Sequence, residues 1–98
     1  MTQDFEASFA TFYTGTQKIS DDYAERQHFA APAITVARGS KYIRMMRDGA
    51  AHCFIDRTNG DVLKAASFKA PAKHARGNIY DGHNGLKYMG PYGPAYLR

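Results

Sequence analysis

Two turn signals, Arg47-Asp48-Gly49 and Thr58-Asn59-Gly60, stand about ten residues apart, and both are flanked by runs of β-type residues. The Asp-Gly pair suits a type I′ hairpin turn, because both central residues there need positive φ. Around these turns the apolar residues alternate. Ile34 and Val36, then Ile43 and Met45, are separated by polar positions, and Arg38-Gly39-Ser40 reads as a turn between them. Ala50–Ile55 reads as a third strand and Asp61–Ala65 as a fourth. Residues 33–66 are therefore expected to form an antiparallel meander of three or four strands. Period-two alternation puts Ile43 and Met45 on one face with Lys41 and Arg47, and Tyr42, Arg44 and Met46 on the other. A half-buried sheet would bury the first set and turn Tyr42 and Arg44 outward.

Upstream the period is helical. Phe5, Phe9, Phe12 and Tyr13 fall at i, i+4, i+7 and i+8, one stripe. Gly15 is expected to end that helix. Ser20 fits an N-cap with Asp21 and Asp22 in the following turn, so a second short helix is expected to run to about Phe29, before Ala31-Pro32. The aromatic stripe reads as core or subunit interface. With 98 residues, 44% of them apolar and seven Tyr and six Phe among them, the chain can build one modest core. The expected fold is α+β: the meander with N-terminal helices packed on one face, followed by a short basic helical turn.

That turn comes from Ser67-Phe68-Lys69-Ala70-Pro71-Ala72-Lys73-His74-Ala75-Arg76-Gly77-Asn78. Pro71 suits a first helical turn and Gly77 a C′ position, so residues 71–76 read as helix. Lys69, Lys73 and Arg76 would then share one face and hold phosphate groups, for which the planar fork of arginine is well shaped. Arg44 could extend the surface from the sheet. Asn78 would read a base edge or cap the helix. The bland alternative is a solvated basic face whose lysine stems cover apolar surface. Charge asymmetry bears on the choice. Residues 1–31 carry Lys18 and Arg26 against five acids, a net of −3, whereas the rest carries eleven Lys and Arg against four Asp, a net of +7. The basic part calls for an anionic partner, nucleic acid or nucleotide.

Catalytic and metal signatures are missing from the pattern. His52 and Cys53 are neighbours on a strand and point to opposite faces, so they make no nucleophile–base pair. His28, His52, His74 and His83 have no zinc-type spacing, and Asp81-Gly82-His83-Asn84-Gly85 lacks the ligand series of a calcium loop. The expectation is a non-enzyme without cofactor or metal. No run approaches a membrane span, the N-terminus lacks a signal-peptide n-region, and the single Cys53 fits a reducing compartment. Residues 82–98 are rich in Tyr, Gly and Pro. Tyr88, Tyr92 and Tyr96 recur every four residues, but Pro91 and Pro94 forbid a helical stripe. The segment reads as a wrap over the core, as an arm docking on another subunit or partner, or as an aromatic platform for nucleobases.

The run from Tyr42-Ile43-Arg44 through Cys53-Phe54-Ile55-Asp56 and Gly60–Ser67 to Pro71–Ile79, with the ending Gly90-Pro91-Tyr92 and Tyr96-Leu97-Arg98, resembles a family of small, mostly uncharacterised proteins of tailed bacteriophages. The resemblance covers roughly residues 40–98. It implies a viral accessory protein working in the host bacterial cytoplasm, and it transfers no catalytic residues.

The chain thus reads as one domain: an acidic helical segment (1–31), the meander (33–66), the basic turn (67–81) and the aromatic arm (82–98). Its expected function is non-enzymatic binding of a phosphate-bearing ligand, nucleic acid or a small nucleotide, such as a defence signal held in a sponge. The alternative is a minor virion or host-protein-interaction factor using the arm and the Phe stripe as interfaces. A small core and an aromatic tail favour a homodimer.

Overall fold

Alternation along Tyr42–Arg47 divides the molecule into a covered and an open side. The computed structural model describes residues 4–90 and 93–94. One helix, α1 (Phe5–Gln27), precedes five strands: β1 (Ile34–Arg38), β2 (Tyr42–Arg47), β3 (Ala50–Asp56), β4 (Asp61–Ala65) and β5 (Pro71–Asn78). The strands form an antiparallel meander in the order β1-β2-β3-β4-β5. A two-stranded ribbon follows, β6 (Met89–Gly90) and β7 (Gly93–Pro94). The fold is α+β, as expected.

The helix lies on the sheet face formed by Ile43, Met45 and Arg47. Phe9 and Phe12 join Ile34, Ile43, Met45, Cys53, Ile55, Val62 and Ile79 in one buried cluster. Burying each of the larger members stabilises by about 1.5–3 kcal/mol before entropy is counted. The expected outward set is also found, since Tyr42, Arg44 and Met46 are only partly buried on the opposite face. Asp48 and Gly49 have φ of 54° and 81°, so both central residues of the β2–β3 turn are left-handed, as a type I′ turn needs.

Two helical expectations are corrected. First, α1 is a single helix of 23 residues, about 35 Å long, in place of two short ones. Gly15 does not end it. The Leu86 side chain packs so closely there that a Cβ at position 15 would lie 2.4 Å from Leu86 Cδ1, so the glycine admits a neighbour. Ser20 is no N-cap either. It is fully buried, and its Oγ accepts a 2.8 Å hydrogen bond from Arg47 Nε. The buried stripe therefore turns from aromatic (Phe9, Phe12) to small and polar (Thr16, Ser20, Ala24) along the helix. The ends are capped elsewhere. Asp4 Oδ1 accepts from the Ala7 amide, and His28, at φ 62°, closes a Schellman-type end in which its own N–H and that of Phe29 bond the Glu25 and Ala24 carbonyls.

Second, Pro71–Arg76 is strand and not helix. Proline and glycine at these places also suit an edge strand. Pro71 opens β5, where its missing N–H breaks no ladder, and Gly77 sits so close to the Gly85 backbone that a Cβ there would lie 3.3 Å from the Gly85 carbonyl oxygen. The pairing of β5 with β4 shifts register twice, which lets eight residues of β5 lie opposite five of β4.

Polar side chains tie the layers. Gln17 donates to the Pro32 carbonyl and accepts from the Ile34 amide, while Tyr13 donates to the Ile34 carbonyl. Helix side chains thus cover the first backbone groups on the open edge of β1, one way of blunting an edge strand. Asn78 joins β5 to the β3–β4 turn through bonds to the Asn59 carbonyl and Asp61. After β5 the chain returns over the helix face, where Asp81 accepts amide bonds from Asn78, His83 and Gly85. The described part of the C-terminal segment wraps over the sheet: Gly93 abuts the His52 carbonyl, and Lys64 Nζ donates to the Pro94 carbonyl at 3.0 Å. Tyr92 and Tyr96 lie outside the described residues.

Ser20→Ala removes the buried hydroxyl that accepts from Arg47 Nε. It is expected to lower unfolding stability by about 1–2 kcal/mol in urea titration, with the helix still formed. Asp81 gives a pH signature. Partial burial pushes its pKa up, but the Gly85, His83 and Asn78 amides together outweigh this and hold it below the ordinary value. A carboxyl with a lowered folded pKa contributes stability above its unfolded pKa of about 4 and loses it as pH falls through the folded value. Asp81→Asn should therefore be less stable than the parent at pH 7, and the gap should narrow below about pH 4 in pH-dependent denaturation.

Candidate functional site

On the face away from the helix, the chain builds a basic cleft. Its floor is β2 and β3. Arg44 pairs with Phe54, and Tyr42 with Asp56, so Tyr42, Arg44 and Phe54 share the open face. Phe54 is nonetheless buried, with Tyr42 edge-on to it at 6.2 Å between ring centres. One wall is the β1–β2 turn, Arg38-Gly39-Ser40-Lys41. The other is the β4–β5 loop, which curls across the open face and brings Lys69 to the cleft. The space enclosed is about 410 Å³, and it opens broadly to solvent.

That loop is held by its own backbone. The Ala66 and Ser67 amides both donate to the Ala70 carbonyl, and Ser67 Oγ accepts from the Lys69 and Ala70 amides. At its tip Phe68 lies against Arg44, whose guanidinium carbon is 4.3 Å from the ring centre. This cation–π contact fixes the direction of the arginine fork and leaves Phe68 46% exposed.

The electrostatics are one-sided. Four cations line the cleft, Arg38, Lys41, Arg44 and Lys69, and no carboxylate does. Arg38 is already engaged by Glu6 through two bonds of 3.0 and 3.1 Å, an exposed pair contributing under about 1 kcal/mol. Lys41 Nζ lies 5.3 Å from the Tyr42 ring centre and also feels Asp56. Burial would raise the Asp56 pKa, but the bonds from Thr58 and the charge of Lys41 bring it below the ordinary value. Among the described residues, Arg44 and Lys69 have no carboxylate within ion-pair distance. The Arg44 Nε is buried and unpartnered. Cations crowded in this way repel one another, and an anion relieves the repulsion.

Of the residues singled out in the sequence, the cleft unites Arg44 and Lys69. Lys73, Arg76 and Asn78 stand on β5 and do not line it. Lys73 is exposed, Arg76 donates to the His74 carbonyl, and the Asn78 amide is engaged by Asn59, Asp61 and Tyr80. The common face of Lys69, Lys73 and Arg76 depended on helical spacing, which a strand does not provide. Sequence reasoning missed Lys41 and Phe68 as site residues. Their only signal was position, one beside the outward pair Tyr42 and Arg44, the other inside the basic stretch.

Other chemistry is poorly placed. Cys53 is wholly buried on the helix side against Met45, and burial pushes its thiol pKa far up, away from a reactive thiolate. Among the described residues no group of His, Cys, Asp and Glu could hold a metal ion, and no helix is long and apolar enough to cross a membrane.

No curated protein and no solved structure is significantly similar to this chain. The profile of DUF7717, a family of unknown function, matches residues 2–92, and the chain belongs to that family.

Proposed function

We propose that this protein is a non-enzymatic binder of a phosphate-bearing ligand, nucleic acid or a nucleotide, which it holds in the cleft of the open sheet face. The observation that carries this reading is the convergence of Lys41, Arg44 and Lys69 on one cleft lined by no carboxylate. In this reading Arg44, oriented by Phe68, presents its fork to phosphate oxygens, and Lys41 and Lys69 add mobile ammonium groups from the two walls. Nothing is transferred. The ligand supplies the charge that these side chains lack. Arg76 and Lys73 form a separate basic stretch on β5 that contributes through longer-range attraction.

The resemblance of residues 40–98 to tailed-phage proteins supports a setting, an accessory protein acting in the host bacterial cytoplasm. The rival reading, an interaction factor using the Phe stripe and the C-terminal segment, has less to work with. Phe9 and Phe12 are in the core, and Gly93 and Pro94 are buried against the sheet.

The test compares two variants by calorimetry and fluorescence anisotropy at low salt, using nucleotides and labelled oligonucleotides. Lys41→Ala with Arg44→Ala and Lys69→Ala should weaken binding by about a thousandfold or more, since each charge-assisted contact contributes about 1.5–3 kcal/mol. Lys73→Ala with Arg76→Ala should weaken it only a few-fold. Parent-like affinity in the triple variant, or no binding by the parent, overturns the proposal.

A further inference from the structure

We infer that the ligand of this cleft is single-stranded nucleic acid, with an unpaired base stacked on the exposed face of Phe68. The inference rests on the phosphate-binding reading and adds the class of ligand. Phe68 is the observation that calls for it. Phe68 is 46% exposed, at the tip of a loop whose backbone is tied by the bonds of Ser67 and Ala70. One side of the ring takes the Arg44 guanidinium, at 4.3 Å. The remaining surface is aromatic, preorganised and adjacent to Lys69. A base seated there would have its own phosphate within reach of Lys69 and Arg44, so stacking and charge act on one nucleotide.

Two features select a strand over a free nucleotide. The cleft is an open trough of about 410 Å³, so a mononucleotide would be covered on one side only. Positive charge also continues past it, because β5 begins where the loop ends and carries the exposed Lys73. A strand of several nucleotides engages both regions, and a single nucleotide engages one. Duplex fits poorly, because its bases are already stacked on each other and leave none for Phe68. The short loop is also no groove-filling helix or ribbon.

The chain has no tryptophan, so Phe68→Trp introduces a single reporter at an exposed position. The probe is an oligothymidylate of about ten nucleotides. It is compared at low salt with an abasic strand of equal length, a duplex and thymidine monophosphate. Anisotropy of the labelled strands and calorimetry measure affinity. The oligothymidylate should quench the tryptophan and bind at least about tenfold more tightly than the other three. Its log affinity should fall against log salt with a slope near −2, as about three neutralised phosphates require. Phe68→Ala should weaken strand binding about tenfold and the abasic strand, which loses only the orientation of Arg44, by only a few-fold. Equal binding of the abasic strand, the duplex or the monophosphate, or strand binding without quenching, overturns this inference and leaves the phosphate reading standing. Failure of every phosphate-bearing probe to bind overturns both.

Discussion

The alternation of side chains along β2 is the constraint on which the rest of the structure depends. Residues two apart face the same way, so one six-residue strand sends Ile43, Met45 and Arg47 under the helix and Tyr42, Arg44 and Met46 to the open side. The buried set anchors the core. The open set supplies the floor of the cleft. A one-residue slip would exchange them, placing Arg44 beneath the helix and Met45 in water. Such a slip is strongly disfavoured because Ile43 and Met45 are completely buried. The core and the candidate site are therefore two results of one register.

The covered side is unusual in being apolar at one end and polar at the other. Phe9 and Phe12 meet aliphatic residues of the sheet, whereas farther along α1 the contact becomes Ser20 with the buried guanidinium of Arg47. A buried hydrogen bond of this sort adds less to stability than a well-packed apolar pair, but it penalises any helix placement that leaves the guanidinium unsatisfied. The ties of Tyr13 and Gln17 to the start of β1 work in the same direction. The helix is tied to one side of the sheet in this way, and the cleft, made from two strands, one turn and one loop, lies on the other.

Much of the sheet was legible from the chain because its signals are local. Asp48-Gly49 and Asn59-Gly60 specify turns by φ, and apolar alternation specifies faces. The errors came where a local signal has two physical meanings. Gly15 in a helix can mean an end or a close neighbour, and only the distant Leu86 decides. Ser20 can cap a helix or accept a buried bond, and only Arg47 decides. Pro71 and Gly77 fit a helix of one turn and an edge strand equally well, and pairing with β4 decides. The basic character of the second part is visible in the chain, but the gathering of Lys41, Arg44 and Lys69 depends on a loop folding back over the sheet. No spacing rule contains that contact.

The central claim is that an anion binds between the β1–β2 turn and the β4–β5 loop. The most direct measurement is a two-dimensional amide NMR titration of the parent protein with a short single-stranded oligonucleotide at low salt. The account predicts that the largest shift changes fall in residues 38–44 and 66–70, with β5 less affected and α1 nearly silent. Changes centred on Lys73–Asn78 or on the helix, with the 38–44 and 66–70 signals unmoved, would contradict it.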